Sequence, residues 1–233
     1  MARLPVRVAV VGLLAQLVLL AGLDLVVGLG LPGWLAGTCY ALLGSAVLAA
    51  ALRRAYAQSF GPANQITLAR ATLVGCLLAL VAEPAAAPVV PLVTLATAAL
   101  VMDAVDGWVA RAAKQASPLG ARFDLEVDAF LILVLSVEVA GRLGGWVLAI
   151  GSMRYAFVAA GAALPWLRRQ PPPRRSSKIV AATQGVVLVV AAAGVLPVGL
   201  TTFAVLLALA VLTWSFARDI GWLHRHRVSA RPR

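Results

Sequence analysis

Charge is what this chain has least of. Only 12% of its 233 residues are Asp, Glu, Lys or Arg, and nine of them are acidic. A soluble domain carries about a quarter charged residues, so a water-facing globular surface is excluded for most of the length. A soluble domain of appreciable size would also need a long polar, periodic stretch, and none is present. Cysteine is scarce as well. Cys39 and Cys76 lie inside apolar runs with no Cys or His at metal-ligand spacing, which excludes a disulfide framework and a thiolate metal site. Both read as small core residues. The apolar run after Arg3 and Arg7 is too long for a signal-peptide core and is followed by no A-x-A site, so it reads as a retained span.

What is there in quantity is apolar: 62% of the chain. Eight segments stand out, at about 6–30, 34–52, 65–82, 88–110, 121–140, 145–166, 179–196 and 199–221. Most approach the roughly 20 residues an α-helix needs to cross the hydrocarbon of a bilayer. Glycine and proline punctuate them at 30–33, 61–62, 84, 141–145, 171–173 and 197–199. The expectation is an all-α polytopic membrane helix bundle with eight spans. No internal repeat is visible, and the abundance of small residues suits close helix packing in lipid.

The net charge of +11 would suggest nucleic acid in a soluble protein. Here the basic residues fall in short clusters between apolar runs, which points to topology and anionic headgroups and to no nucleic-acid partner. With a cytoplasmic N-terminus, one side of the membrane collects Arg3, Arg7, Arg53, Arg54, Arg111, Lys114, Arg122, Arg168, Arg169, Arg174, Arg175, Lys178, Arg218 and the basic tail from 224 to 233. The other side holds Arg142. That asymmetry follows the positive-inside rule and puts both termini in the cytoplasm.

Five of the nine acids crowd into "DAVDGWVARAAKQASPLGARFDLEVD", residues 103–128, at the cytoplasmic ends of the fourth and fifth spans. Asp103 and Asp106 are separated by about 60° around one helix, and Asp124 and Asp128 by about 40° around the next. Two antiparallel helices with a short connection therefore present four carboxylates to one space, while Glu126 points elsewhere. A solvated loop end accounts for Glu126 but not for Asp103, two turns inside an apolar helix. Intramembrane acids are functional candidates by default. Clustered carboxylates repel one another unless a cation neutralises them, and oxygen-only donors favour a hard ion, Mg²⁺ or Mn²⁺. Gly107 and Ala110 share the stripe of Asp103 and Asp106 and leave room against the backbone. Arg111 is placed to meet a carboxylate or a phosphate, and Gly120 opens the next helix.

The pattern D-x-x-D-G-x-x-A-R-x8-G-x-x-x-D-x-x-x-D, filled by Asp103, Asp106, Gly107, Ala110, Arg111, Gly120, Asp124 and Asp128, resembles the signature of the class I CDP-alcohol phosphotransferases. Upstream, "NQITLAR" resembles that family's N-x-x-T-x-x-R opening, giving Asn64, Thr67 and Arg70. The resemblance covers roughly residues 62–222, a six-span core, and implies a domain from 59 to 223. The two spans in 1–58 are an extension outside it.

The resemblance implies transfer of a phosphatidyl group from CDP-diacylglycerol to an alcohol with release of CMP, at a site holding two divalent ions. Asp103, Asp106 and Asp124 would be metal ligands. Asp128 would share a metal or, more importantly, act as base. Asn64, Thr67, Gly107, Ala110, Arg111 and Gly120 would line the CDP pocket. A homodimer is implied too, with membrane lipids around it. For the acceptor, Arg154 inside a span needs a partner, and with Arg175 and Lys178 it suits an anionic alcohol. The K-x5-Q spacing of Lys178 and Gln184 resembles phosphatidylglycerophosphate synthases, although Val180 and Ala181 replace a basic residue and a threonine. Glycerol 3-phosphate is the expected acceptor, with phosphatidylglycerol, as in cardiolipin synthases, and an inositol phosphate as alternatives. His224 and His226 read as headgroup-facing surface, and Asp24, Glu83 and Glu138 receive no role. The rival classes are an intramembrane prenyltransferase, whose Asp clusters sit on two separate hairpins, and an ion-coupled transporter, whose acids lie nearer mid-membrane.

Overall fold

The computed structural model describes residues 3–57, 59–85, 87–112, 117–168 and 175–225, the side chains of 3, 106–112, 165, 168 and 175–178 excepted. Among the described residues every regular element is helical. Within these residues eight α-helices follow one another: α1 Arg3–Val27, α2 Leu31–Arg54, α3 Pro62–Val81, α4 Val89–Ala112, α5 Pro118–Leu143, α6 Leu148–Ala163, α7 Arg175–Ala193 and α8 Val198–Arg225. Short 3-10 turns at Gly145–Val147 and Pro165–Arg168 flank α6. The all-α bundle expected from the apolar segments is what forms.

Among the described residues, five helices are long and apolar enough to cross a membrane: α1, α2, α3, the Gly145–Ala163 stretch and α8. α4 and α7 are apolar over the shorter stretches Val89–Val105 and Ile179–Ala193. α5 begins with Arg122, Asp124, Glu126 and Asp128, which break its apolar run. The protein is a polytopic membrane helix bundle. Its helices are apolar on the outside too: Val18, Leu25 and Val26 on α1, Leu43 and Val47 on α2, and Phe203 and Trp214 on α8 are all exposed. A helix hydrophobic all round belongs in lipid or a core.

The chain divides into two units, Met1–Val134 and Leu135–Arg233, with α5 passing from one to the other. In the first unit α3 is the central element, packed against α1, α2 and α4. Its buried face includes Thr67, Arg70, Val74, Gly75, Leu77 and Leu80. Close approach depends on small residues. Leu20 of α1 occupies the notch left by Gly37 of α2, where a Cβ would lie 2.8 Å from its methyls. Gln16, buried on α1, lies against Gly75 and donates from Nε2 to Cys76 Sγ at 3.6 Å. Cys76 is thus core, as expected, but Cys39 is exposed on the outward side of α2. Its turn of helix faces away from α1 and α3, because Gly33, Gly37 and Ala41 form the inward stripe.

The acids left without a role turn out to tie helix ends. α2 starts at Gly30, which has no side chain with which to cap the helix. Glu83, just beyond α3, supplies the acceptor: its Oε1 receives the N–H groups of Gly30 at 2.8 Å and Gly33 at 3.0 Å. A carboxylate at a helix N-terminus satisfies orphan donors and complements the macrodipole. Asp24 Oδ1 accepts from Leu29 N at 2.7 Å in the α1–α2 turn, and Glu138 pairs with Arg142 one turn on.

A cluster built on Val8, Leu48 and Leu52 joins the start of α1 to the end of α2. Leu68 of α3 and Leu119 and Phe123 of α5 pack against it. The two N-terminal helices thus support the residues on either side of Gly120 and next to Asp124. In the second unit α7 packs on α8. There Gln184, buried on α7, donates from Nε2 to Ala208 O of α8 at 2.9 Å.

Candidate metal centre

α3 is started by Gly61 in an extended conformation and by Pro62 in the first turn, where its missing N–H is no loss. That start sets Asn64, Thr67 and Arg70 three residues apart on successive turns. α5 starts with the same economy: the Gly120 N–H is donated to Ser117 Oγ at 3.0 Å, and Pro118 occupies the first turn. The two helix starts meet. A Cβ on Gly120 would run into Asn64 Oδ1, so only glycine admits this approach. Thr67 is buried, and its hydroxyl donates to Ala63 O at 3.1 Å.

One turn deeper, α4 contributes Asp103, and α5 contributes Asp124 and Asp128. Each offers a carboxylate oxygen, and the three oxygens lie within 4.8 Å of one another. Arg70 lies among them with its side chain fully buried. Its Nη1 meets Asp103 Oδ1 at 2.5 Å, and its Nη2 meets Asp124 Oδ1 at 2.5 Å and Asp128 Oδ1 at 2.9 Å. The planar guanidinium presents its donors as a fixed fork, which is what lets one residue serve three carboxylates from two helices. The carboxylates are not buried with it. Their side chains are 39%, 37% and 40% exposed in the order Asp103, Asp124, Asp128, so each keeps an open side.

This arrangement fits a hard cation. The donors are all oxygen, they converge, and a buried cation is already drawn among them. Glu126 is exposed and is not among the converging groups, as its place on the helix predicts. Of the expected site residues, the structure brings Asp103, Asp124 and Asp128 together, and separately brings Asn64 to Gly120. The side chains of Asp106, Gly107, Ala110, Arg111, Arg175 and Lys178 lie outside the described residues, as does His226. Arg154 and Gln184 belong to α6 and α7 of the second unit. Arg70 is the residue that sequence reasoning named but left out of the site. The signal was available: an arginine inside an apolar helix needs an anionic partner, and the rule applied to Arg154 applies equally here.

Fold and site together define a helical membrane protein with a cluster of carboxylate oxygens that could hold a metal ion. A sequence model of the CDP-alcohol phosphatidyltransferases matches residues 60–219, more than half of the chain, and the protein belongs to that family. It is therefore a transferase of phospholipid biosynthesis, moving a phosphatidyl group from a CDP-alcohol to an acceptor, in a family that depends on divalent metal. No curated protein and no solved structure matches the chain.

Proposed function

We propose that the enzyme transfers the phosphatidyl group of CDP-diacylglycerol to glycerol 3-phosphate and releases CMP. The observation that carries the reading is the convergence of the Asp103, Asp124 and Asp128 carboxylates beside the Asn64–Gly120 contact. Asp103, Asp124 and Asp128, together with Asp106, would hold Mg²⁺ or Mn²⁺, two ions in all. Bound there, the ions would neutralise the diphosphate and the departing CMP. The acceptor oxygen attacks the lipid-side phosphorus, the bond from that phosphorus to the CMP oxygen breaks, and Asp128 takes the hydroxyl proton. Asn64 and Thr67, with Gly107, Ala110, Arg111 and Gly120, line the nucleotide pocket, and the absence of a side chain at 120 keeps Asn64 where the pocket needs it.

Residues 59–223 form the catalytic core in this reading, and 1–58 an extension that packs on it. The bias of basic residues places both termini and the carboxylates at the cytoplasmic face, where a water-soluble nucleotide leaves while acyl chains stay in lipid. A homodimer within the bilayer is the proposed assembly. For the acceptor, Arg154, Arg175, Lys178 and Gln184 are the proposed contacts, and the positive charge of the first three supports a phosphorylated alcohol.

The test is CMP release by the purified protein from CDP-diacylglycerol with Mn²⁺ or Mg²⁺, across a panel of acceptors. Glycerol 3-phosphate is expected to give the highest rate. A preference for phosphatidylglycerol or an inositol phosphate would replace the acceptor while keeping the chemistry, and no CMP with any acceptor would reject the reading. Asp128→Asn is expected to retain CDP-lipid binding and lose about 10²–10⁴ in turnover, the span of a positioned acid or base. Normal CMP release by that variant would remove Asp128 as the base.

A further inference from the structure

We propose that Arg70 is the resident counter-cation of the carboxylate centre: it holds Asp103, Asp124 and Asp128 together in the metal-free enzyme and competes with the divalent ion for them. The proposal rests on the metal-centre reading above and goes beyond it, because it assigns to a side chain on α3 control over how tightly the centre takes its ion.

Three negative charges brought within a few ångströms repel, and in an apolar helix bundle that repulsion is poorly screened. Without a cation the ends of α4 and α5 would be driven apart. Arg70 reaches all three carboxylates at 2.5–2.9 Å and is fully buried beneath them. Its guanidinium stays charged at any physiological pH, so it is a permanent ligand substitute and not a titrating one. Among the described residues it offsets one of three carboxylate charges, which leaves the cluster attractive to a divalent ion approaching from the exposed sides of the carboxylates. A positive charge in contact with the same oxygens must weaken that ion's binding, both by repulsion and by occupying the Oδ1 atoms. The site is therefore preassembled, at the expense of intrinsic metal affinity.

Sign separates this role from a purely structural one. An arginine that only supported the fold would, when removed, loosen the centre and weaken metal binding. A competing counter-cation, when removed, leaves a less stable metal-free protein that binds metal more tightly. The experiment uses the full-length protein in detergent, with Mn²⁺ titrated alone, free Mn²⁺ read by electron paramagnetic resonance, and thermal unfolding recorded with and without the ion. Arg70→Gln is expected to unfold at lower temperature without metal, to bind Mn²⁺ about tenfold more tightly, the size of an ordinary coupling between two sites, and to gain more thermal stability from it than the wild type. Arg70→Lys keeps the charge but loses the fork, and should fall between the two. Asp124→Asn should bind Mn²⁺ more weakly than the wild type.

Equal or weaker Mn²⁺ binding by folded Arg70→Gln, with wild-type binding that is sensitive to Asp124→Asn, overturns the proposal and leaves the metal centre standing. No Mn²⁺ bound by the wild type removes the metal centre and this proposal with it. If Arg70→Gln cannot be recovered folded, Arg70→Lys decides: tighter binding than the wild type supports competition, and equal or weaker binding refutes it.

Discussion

Gly120→Ala isolates the contact between the starts of α3 and α5. The added methyl would occupy the position of Asn64 Oδ1 and come within 3.0 Å of Ser117 Oγ, the atom that caps the helix. If Asn64 stayed in place, the overpacking would destabilise by about 1–3 kcal/mol. Against that, alanine in place of glycine favours the helix by about 1 kcal/mol in an interior position, and by less in a first turn. Asn64 sits at the half-buried end of its helix and has a soft terminal torsion, so it is expected to rotate away. The perturbation then moves from stability to binding. On the proposed role of Asn64 in the nucleotide pocket, a carboxamide turned away forfeits one hydrogen bond, about 1 ± 0.5 kcal/mol, which raises KM for CDP-diacylglycerol roughly two- to twelvefold. kcat should stay within about twofold, since no group acting on the transferred phosphorus has moved. The assay is CMP release at varied CDP-diacylglycerol, alongside thermal unfolding in the same detergent. Gly44→Ala and Gly221→Ala are the controls, because a Cβ at either meets nothing within 4 Å. Both should leave KM unchanged. If Gly120→Ala matches these controls in KM and in unfolding temperature, the steric argument for glycine at 120 is wrong.

Two further outcomes test the scaffold. Glu83→Ala leaves the N–H groups of Gly30 and Gly33 without their acceptor. A part-exposed charge-assisted pair of this kind is worth about 2–3 kcal/mol, or roughly 5–10 °C in unfolding temperature for a chain of this length, and an unshifted melting curve would contradict it. Leu52→Ala opens a cavity in the cluster that carries Leu119 and Phe123, and should cost about 2–5 kcal/mol in stability. A loss below that range, read from the same melting curves, would mean that the N-terminal helices do not support α5.

Much of this protein is legible without coordinates because lipid imposes local rules. Backbone groups in hydrocarbon must bond within their own segment, so long apolar runs have to be helices, and turn residues mark their ends. Angular position along a helix is equally local. Spacing alone puts Asp124 and Asp128 on one face and Glu126 off it, and the structure agrees. The same reasoning stops where one helix meets another. Nothing in the spacing of α3 says that Arg70 will reach across 33 residues to Asp103 and 54 to Asp124. Nor does it say that Glu83 will cap a helix that begins 53 residues earlier, at Gly30.

Cys39 and Cys76 make the distinction plainly. Both sit in apolar runs and look alike in sequence, yet one faces outward and the other is buried against Gln16. In a membrane, apolar residues cover the outside of a helix as well as the inside, so hydrophobicity no longer reports which face is the core. That choice is made by small residues that let particular helices approach, Gly37 under Leu20 and Gly120 against Asn64, and by buried polar groups that must find one another. The chain's composition and periodicity determine that it is a membrane helix bundle with an acidic cluster, and the motif's family resemblance adds the enzyme. Packing between distant helices decides that the centre is assembled around an arginine.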